Sequence, residues 1–179
     1  MSPERVTERV MLDRLRARYG TVHGNGHRWV FATHVRSDAG FDATRTADAI
    51  AMDLWPSKGL ELHGFEVKIS RADWLRELAK PDKSVPVGRY CDRWWLVVPD
   101  RAIVRPGELP ADWGLIECRE PAPIADGAPR YFAGHNAKAA TRAIRNAPRR
   151  PAEPVSRSFM AALLRATMKT ALADAERVV

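Results

Sequence analysis

Apolar residues recur along the chain with two different periods, one typical of helices and one typical of strands. Near the N-terminus the spacing is helical, and it predicts a helix over 3–19 with Ser2 as its N-cap and Pro3 in its first position. The main apolar stripe of this helix consists of Met11, Leu12, Leu15 and Tyr19. Arginines fill the flanks, so we expect the stripe to pack on a core while the arginines face water.

Several later stretches are short and apolar enough to form β-strands. They are 28–35, the run containing Asp48, the run containing Glu66, 93–99 and 113–118. The stretch 93–99 is apolar enough to be a central strand that is covered on both sides. Glycines favour a turn over 23–27, so we expect His23 and His27 to be turn residues and not metal ligands.

Two further helices are predicted, one between the strands and one after them. The segment 71–80 follows Ser70, which forms a capping-box-like start with Asp73. Its apolar face consists of Trp74, Leu75 and Leu78. Another helix is predicted over 136–145.

The C-terminal part of the chain begins with a proline-rich break. The segment 146–154 interrupts the helical pattern and predicts a hinge. Beyond it, Ser156 or Ser158 can cap a last helix. The apolar stripe of that helix consists of Met160, Leu163, Leu164, Met168, Leu172 and Ala175. We expect this stripe to pack on the core or on a second subunit.

The order of these elements, a helix, three strands, a helix and two strands, predicts a domain of the α/β or α+β class. We assign 1–145 to the core domain and 146–179 to the hinge and a C-terminal amphipathic helix.

Composition and charge add a partner to this outline. The chain has 179 residues, enough to bury one core, and its net charge of +7 favours nucleic acid as partner, with a membrane surface as the second possibility. Cys91 and Cys118 are too few for a disulfide framework and indicate reduced, buried thiols. The sequence has no signal-peptide core and no membrane-spanning stretch, so we expect a cytoplasmic protein whose partner is DNA and not a membrane.

Charged residues interrupt two of the apolar strands. Asp48 lies in one, and Glu66 and Lys68 flank Val67 in the next, so Glu66 and Lys68 share one face of their strand. If the strands are neighbours, two carboxylates and the main-chain carbonyl of Val67 offer Mg²⁺ or Mn²⁺ the oxygen ligands that it prefers. Lys68 can then orient or help to deprotonate a water, or stabilise the transition state of phosphodiester hydrolysis. Asp53 is a rival of Asp48, but its opposite parity and its place beside a turn predict that it is exposed.

This arrangement, an acidic residue on one strand and Glu-x-Lys on the next, resembles the PD-(D/E)XK nuclease superfamily. A longer string, over roughly 45–118, is similar more narrowly to the MmcB-type family of DNA-repair proteins. The resemblance is in 45–49, 66–74, Tyr90–Asp92, 95–99 and 114–117. Ala47 stands where the superfamily name implies proline, which is often absent among its members.

The resemblance implies a restriction-endonuclease-like core, a mixed central sheet flanked by helices, with C-terminal helical additions. It implies Asp48, Glu66 and Lys68 as catalytic residues and a DNA substrate, and relatives often place an acidic residue such as Glu8 on their first helix as a further metal ligand. Candidates for phosphate or backbone contacts are Arg45, Ser70, Arg71, Lys80, Lys83 and Arg89. A homodimer would suit duplex cutting, and a monomer would suit ends or flaps.

Two alternatives stay open. The chain could be a DNA-binding or partner-binding module that keeps the fold without catalysis, or an RNA-processing enzyme. Glycine-rich phosphate loops, zinc-ligand cysteine pairs and a serine-hydrolase elbow are missing from the sequence, which disfavours nucleotide-driven, zinc-finger and serine-hydrolase functions.

Overall fold

A six-stranded mixed β-sheet lies between helices in the computed structural model of the protein, which describes residues 6–20, 22–23, 26–40, 43, 45–80, 85–120 and 140–176. The α-helices in these ranges are α1 (Glu8–Tyr19), α2 (Arg71–Leu78), α3 (Val85–Gly88) and α4 (Arg157–Glu176), and Pro56–Lys58 and Arg101–Ile103 form short 3₁₀ helices. The strands are β1 (Val22–His23), β2 (Gly26–His27), β3 (Trp29–Arg36), β4 (Thr46–Asp53), β5 (Leu62–Val67), β6 (Arg93–Val98), β7 (Trp113–Cys118) and β8 (Thr141–Arg145). The α/β class with a C-terminal helix is therefore confirmed.

The large sheet has the strand order β3-β4-β5-β6-β7-β8, while β1 and β2 form a separate hairpin over the predicted turn. Strands β5 and β6, and β6 and β7, are parallel, and the other neighbours in the sheet are antiparallel. The predicted central position of the strand at 93–99 is confirmed, because β6 pairs on both sides and its residues from Trp94 onward are buried.

Each face of the sheet has its own apolar core. On one face, the predicted stripe of α1 packs against Phe65, Val67 and Val97. On the other face, Trp74 of α2, Val87 of α3 and Phe159 of α4 pack together with Trp94 and Leu96. The sheet is thus covered by helices on both sides, and its central strands are removed from water.

The first helix begins later than the sequence predicts. Val6 and Thr7 precede it, and the hydroxyl oxygen of Thr7 accepts the amide hydrogen of Val10 at 3.3 Å. Thr7 is therefore the N-cap, and Glu8 in the first turn favours this start through the helix dipole. The predicted cap Ser2 and first position Pro3 lie outside the described residues.

The predicted helix over 136–145 is wrong where it can be compared. Residues 141–145 form β8, which pairs antiparallel with β7 and places Glu117 opposite Arg142. The open edge of β7 offers a ladder of backbone hydrogen bonds, which outweighs the helical propensity of this alanine-containing segment. The remainder of the predicted helix, 136–139, lies outside the described residues.

The last helix exists as predicted, but the prediction of its packed face is wrong. The residues that face the sheet are Phe159, Ala162, Ala166 and Thr170. Of the predicted stripe, Leu163 is half-buried, whereas Met160 is 48% and Leu164 63% exposed. Small side chains bring the helix close to β3, where the Thr33 amide donates to the Thr170 hydroxyl at 3.1 Å.

The predicted hinge, 146–154, has neither helix nor strand, but it is bonded to the core. The Arg150 amide donates to the carbonyl of Asp92, and the Glu153 amide to that of Arg89, each at 2.8 Å. The domain boundary at 146 stays a prediction. Within the described part of the chain, no helix is both long and apolar enough to cross a membrane.

Candidate active site

The candidate site lies at the C-terminal end of β5, where a buried strand leaves the sheet. All six residues of β5 are buried, and the Lys68 amide continues the ladder by donating to the Val97 carbonyl at 2.9 Å. Val67 belongs to the core under α1, so Glu66 and Lys68 project toward the opposite face of the sheet, as alternation predicts. The backbone thus fixes the two charged side chains beside each other.

Asp48 joins them from β4. The pairing of Ala49 with Phe65 is the last rung of the β4–β5 ladder on this side, so the next residues along, Asp48 and Glu66, are neighbours. The Val67 amide donates to Asp48 Oδ2 at 2.7 Å and fixes this carboxylate at the strand end. The predicted convergence of Asp48, Glu66 and Lys68 is therefore present in the structure.

A further carboxylate, Glu77 of α2, completes the cluster. Lys68 Nζ lies 3.2 Å from Glu77 Oε2, and it is also hydrogen-bonded to Glu66 Oε1. Glu77 is 6% exposed, although acidic side chains are seldom buried without a partner. Glu77 was not predicted from the sequence. It lies one turn after Trp74, so a charged residue on the same side of the helix as a large apolar one could have indicated a functional role.

The surroundings perturb the ionisation of all three predicted residues. Burial and the neighbouring Asp48 carboxylate raise the pKa of Glu66 to about 7. Burial also raises the pKa of Asp48, against the opposing effects of the Val67 amide and Lys68. Burial alone would lower the pKa of Lys68, but Glu66, Glu77 and Asp48 outweigh it and raise that pKa. Lys68 is therefore a cation at neutral pH, and the two metal-ligand candidates resist being charged together.

Glu8 approaches the same place from α1. Its Oε1 lies 3.8 Å from Nδ1 of His34, and its charge is one of the influences that raise the pKa of Asp48. Glu8 is exposed and lines a cleft of about 470 Å³ together with Val67, Lys68 and Glu77. His34 was not predicted at the site; its backbone is left-handed, with φ of 52°, which is rare for residues other than glycine.

Of the predicted phosphate contacts, two lie at the site edge and face solvent. Arg45 is exposed immediately before β4, and Lys80 is exposed in the cleft that contains Lys68. Ser70 is the predicted N-cap of α2 and also donates to Asp73 Oδ2 at 2.8 Å, so its hydroxyl has structural partners. Lys83 lies outside the described residues.

The other two predicted contacts have different surroundings. Arg71 forms an ion pair with Glu108 and donates to the Ile103 carbonyl at 2.8 Å, so its guanidinium is held on the protein. Arg89 donates to the Tyr90 hydroxyl at 2.7 Å and precedes β6, whose N-terminus pairs with that of β5. Arg89 is therefore at the opposite end of the strands from Lys68.

Two other expectations about this region are corrected. Asp53 is buried, not exposed, because it accepts hydrogen bonds from the Arg28 guanidinium, the shorter at 2.6 Å. Leu75, predicted on the packed face of α2, is 47% exposed. These differences leave Asp48 as the β4 carboxylate at the site.

Among the described residues, no three His, Cys, Asp or Glu side chains form a group arranged to hold a metal ion. Of the carboxylates in the cluster, Asp48 and Glu66 are the candidate metal ligands and Glu77 is paired with Lys68, so a cation would also need a main-chain carbonyl and water to complete its coordination. The buried Glu66 and the half-buried Asp48, both with raised pKa values, fit a divalent cation, because its charge would offset their mutual repulsion.

No family model matches the chain, and no curated protein matches it. A solved structure, that of the SPO1766 protein of unknown function from Silicibacter pomeroyi, has a TM-score of 0.52 and 23% sequence identity. The match covers 97% of this chain and 92% of that one. At this identity the likeness concerns the fold, an α/β architecture around a mixed sheet.

Proposed function

We propose that the protein is a Mg²⁺- or Mn²⁺-dependent deoxyribonuclease that acts in DNA repair, recombination or DNA processing. The observation that supports the proposal is the meeting of Asp48, Glu66 and Lys68 at the end of a buried strand. Charged groups are costly to bury, so their concentration at one strand end favours a catalytic role. The succession of α1, the sheet strands β3, β4 and β5, then α2 and β6, also agrees with the resemblance to PD-(D/E)XK nucleases.

Asp48, Glu66 and the main-chain carbonyl of Val67 would hold the metal ion, with Glu8 as a further ligand from the rim of the cleft. A Mg²⁺ ion there would supply an activated water and offset the charge that develops on the phosphate. The Val67 amide would keep the Asp48 carboxylate in place during this chemistry.

Lys68 would act as a fixed positive charge rather than as a base. Its raised pKa keeps the ammonium protonated, so it would orient the attacking water or stabilise negative charge on the phosphate. Glu77 would be a positioning residue, because its carboxylate, 3.2 Å away, holds the ammonium near the strand end. Arg45 and Lys80 are exposed at the same edge and would contact the DNA backbone.

The ion pairs of Lys68 also support one alternative function, a DNA-binding module without catalysis. Lys68 is already paired with Glu66 and Glu77, an arrangement that a non-catalytic DNA-binding module could keep for stability alone. Such a module would bind DNA without cutting it, so catalysis and binding must be measured separately.

The test is cleavage of labelled duplex, single-stranded, nicked, flapped and four-way DNA with Mg²⁺, Mn²⁺ or chelator. Glu66→Gln and Lys68→Ala should each reduce metal-dependent cutting by at least about 100-fold. Lys58→Ala, which changes an exposed lysine in a turn away from the site, is the matched control and should cut normally.

Metal binding gives a second readout. Mg²⁺ at ten times its dissociation constant should stabilise the wild type by about 1.4 kcal/mol against thermal unfolding, and stabilise Glu66→Gln less. Cutting that survives in Glu66→Gln, or a wild type that binds every substrate and cuts none, would contradict the nuclease proposal. Activity on RNA alone would assign the site to a different substrate.

A further inference from the structure

A second groove, larger than the active-site cleft, lies between α1 and α4 with β3 as its floor. Its volume is about 930 Å³, and its apolar surface comes from Leu12, Ala162 and Ala166. Its lining residues include five cations, Arg9, Arg16, Arg36, Arg165 and Lys169. None of these was predicted as a nucleic-acid contact, because they come from elements far apart in the sequence.

Most of this positive charge is available to a ligand. Arg16 is paired with Asp174, but Arg9, Arg36, Arg165 and Lys169 form no ion pair with any described residue. All four are exposed.

Of the four acidic residues in the described lining, Asp13 and Asp38 have partners of their own, while Glu8 also lines the cleft and Glu176 is exposed. Asp13 lies 4.0 Å from Arg16, and Asp38 accepts a hydrogen bond from the Ser158 hydroxyl and another from the Ala39 amide at 2.8 Å. The remaining surface therefore favours an anion that can contact several cations in turn.

The groove adjoins the cleft that contains Lys68. Glu8 lines both the groove and the cleft that contains Lys68, and His34 of the groove lies 3.8 Å from Glu8. A polymer whose scissile phosphate lies at Glu66 and Lys68 could therefore continue past Glu8 into the groove. This adjacency distinguishes the groove from an isolated basic patch.

We infer that the groove between α1 and α4 holds the backbone of a single DNA strand that extends from the cleavage point. This inference rests on the proposed nuclease function and adds a substrate class, DNA with a single-stranded tail. The described residues of the lining include no Phe, Tyr or Trp, so these residues would hold the strand through phosphates and not through stacked bases. A concave path between two helices suits one strand, whereas a duplex would rest on its rims.

The test compares binding of a blunt duplex and of the same duplex with a six-nucleotide tail, using fluorescence anisotropy in EDTA so that cleavage cannot intervene. The groove variant is Arg165→Glu with Lys169→Glu, both exposed on α4. The control is Arg101→Glu with Arg142→Glu, which makes the same change in net charge at exposed positions outside the groove. Thermal unfolding of both variants checks that the fold is intact.

The wild type should bind the tailed DNA more tightly than the blunt duplex, and the groove variant should lose about tenfold in affinity for the tailed DNA. The slope of log K against log salt should also fall by about 1.4, the value for two lost phosphate contacts on a single strand. The control variant should keep the advantage of the tail.

Two results would overturn the inference: no effect of the tail on wild-type binding, or equal losses in the groove and control variants. Neither result bears on metal-dependent cutting, which the cleavage panel measures independently. The opposite outcome is also distinguishable. If the tail increases binding by the wild type but not by the groove variant, and no metal supports cutting, then the groove binds single-stranded DNA and the nuclease proposal is wrong.

Discussion

Replacing Lys68 by methionine removes the ammonium that lies among Asp48, Glu66 and Glu77 and leaves a side chain of similar length. Its distance of 3.2 Å from Glu77 corresponds to an attraction of about 5 kcal/mol at an effective dielectric constant of 20. The variant no longer has to desolvate the ammonium, which offsets part of the loss. Since breaking a buried pair costs about 3–5 kcal/mol, we expect the variant to lose roughly that much stability at pH 8 without metal.

The loss of folding stability in the Lys68→Met variant should be greater at high pH than at low pH. Glu66 has a pKa raised to about 7, so the folded protein holds its proton more tightly than the unfolded chain does. Without Lys68 that pKa rises further, and the variant retains protons at a pH where the wild type has released them. The loss should therefore be largest above pH 7 and shrink toward pH 5.5, by about 1.4 kcal/mol for each pH unit over which one extra proton is held.

The measurement is thermal unfolding followed by circular dichroism in EDTA at pH 8 and pH 5.5. For a chain of this length, the predicted loss at pH 8 lowers the melting temperature by about 10 °C. Lys80→Met is the control, because Lys80 is exposed in the same cleft and its replacement should have little effect. A loss of equal size at both pH values, or no loss, would refute the assignment of Lys68 as the counterion of buried carboxylates.

Other predictions test the packing. Gly64→Ala should destabilise the protein by about 1–3 kcal/mol in urea unfolding, because the added Cβ would lie 2.3 Å from a tryptophan ring atom. Phe159→Ala should cost about 3–5 kcal/mol, while Met160→Ala should be nearly neutral; the reverse order would mean that the other face of α4 is packed. Burial raises the pKa of the Cys91 and Cys118 thiols to about 12, so neither should react with a thiol reagent at pH 8 until denaturant is added.

The sequence alone predicted those parts of the site that depend on local periodicity. Alternation along a strand fixes Glu66 and Lys68 on one face whatever the rest of the chain does. The Ser70 cap depends on a hydroxyl and an amide three residues apart, and the stripe of α1 depends on its helical repeat. The approach of Asp48 was a weaker prediction, because it required two strands to be neighbours.

Tertiary structure decided the partners of residues whose local sequence allows more than one structure or contact. The segment 141–145 has helical propensity, but the free edge of β7 gives it a strand partner. Arg71 follows the site directly in sequence, yet Glu108, distant in the chain, binds its guanidinium. Neither outcome can be read from nearby residues, because each depends on a contact made only after the chain has folded.

The last helix also shows which features depend on local sequence and which depend on tertiary contacts. Its sequence contains one apolar stripe of large residues and a second face of small ones, and both have helical spacing. The small face packs because it allows α4 to approach β3 closely enough for Thr170 to accept the Thr33 amide. Thus the sequence by itself determined α1, α2, α4, the strands β3 to β7 and the facing of Glu66 and Lys68, since these depend on residues a few positions apart. Only the tertiary structure decided the packed face of α4, the addition of Glu77 to the cluster and the groove between α1 and α4, since these join residues that are distant in the chain.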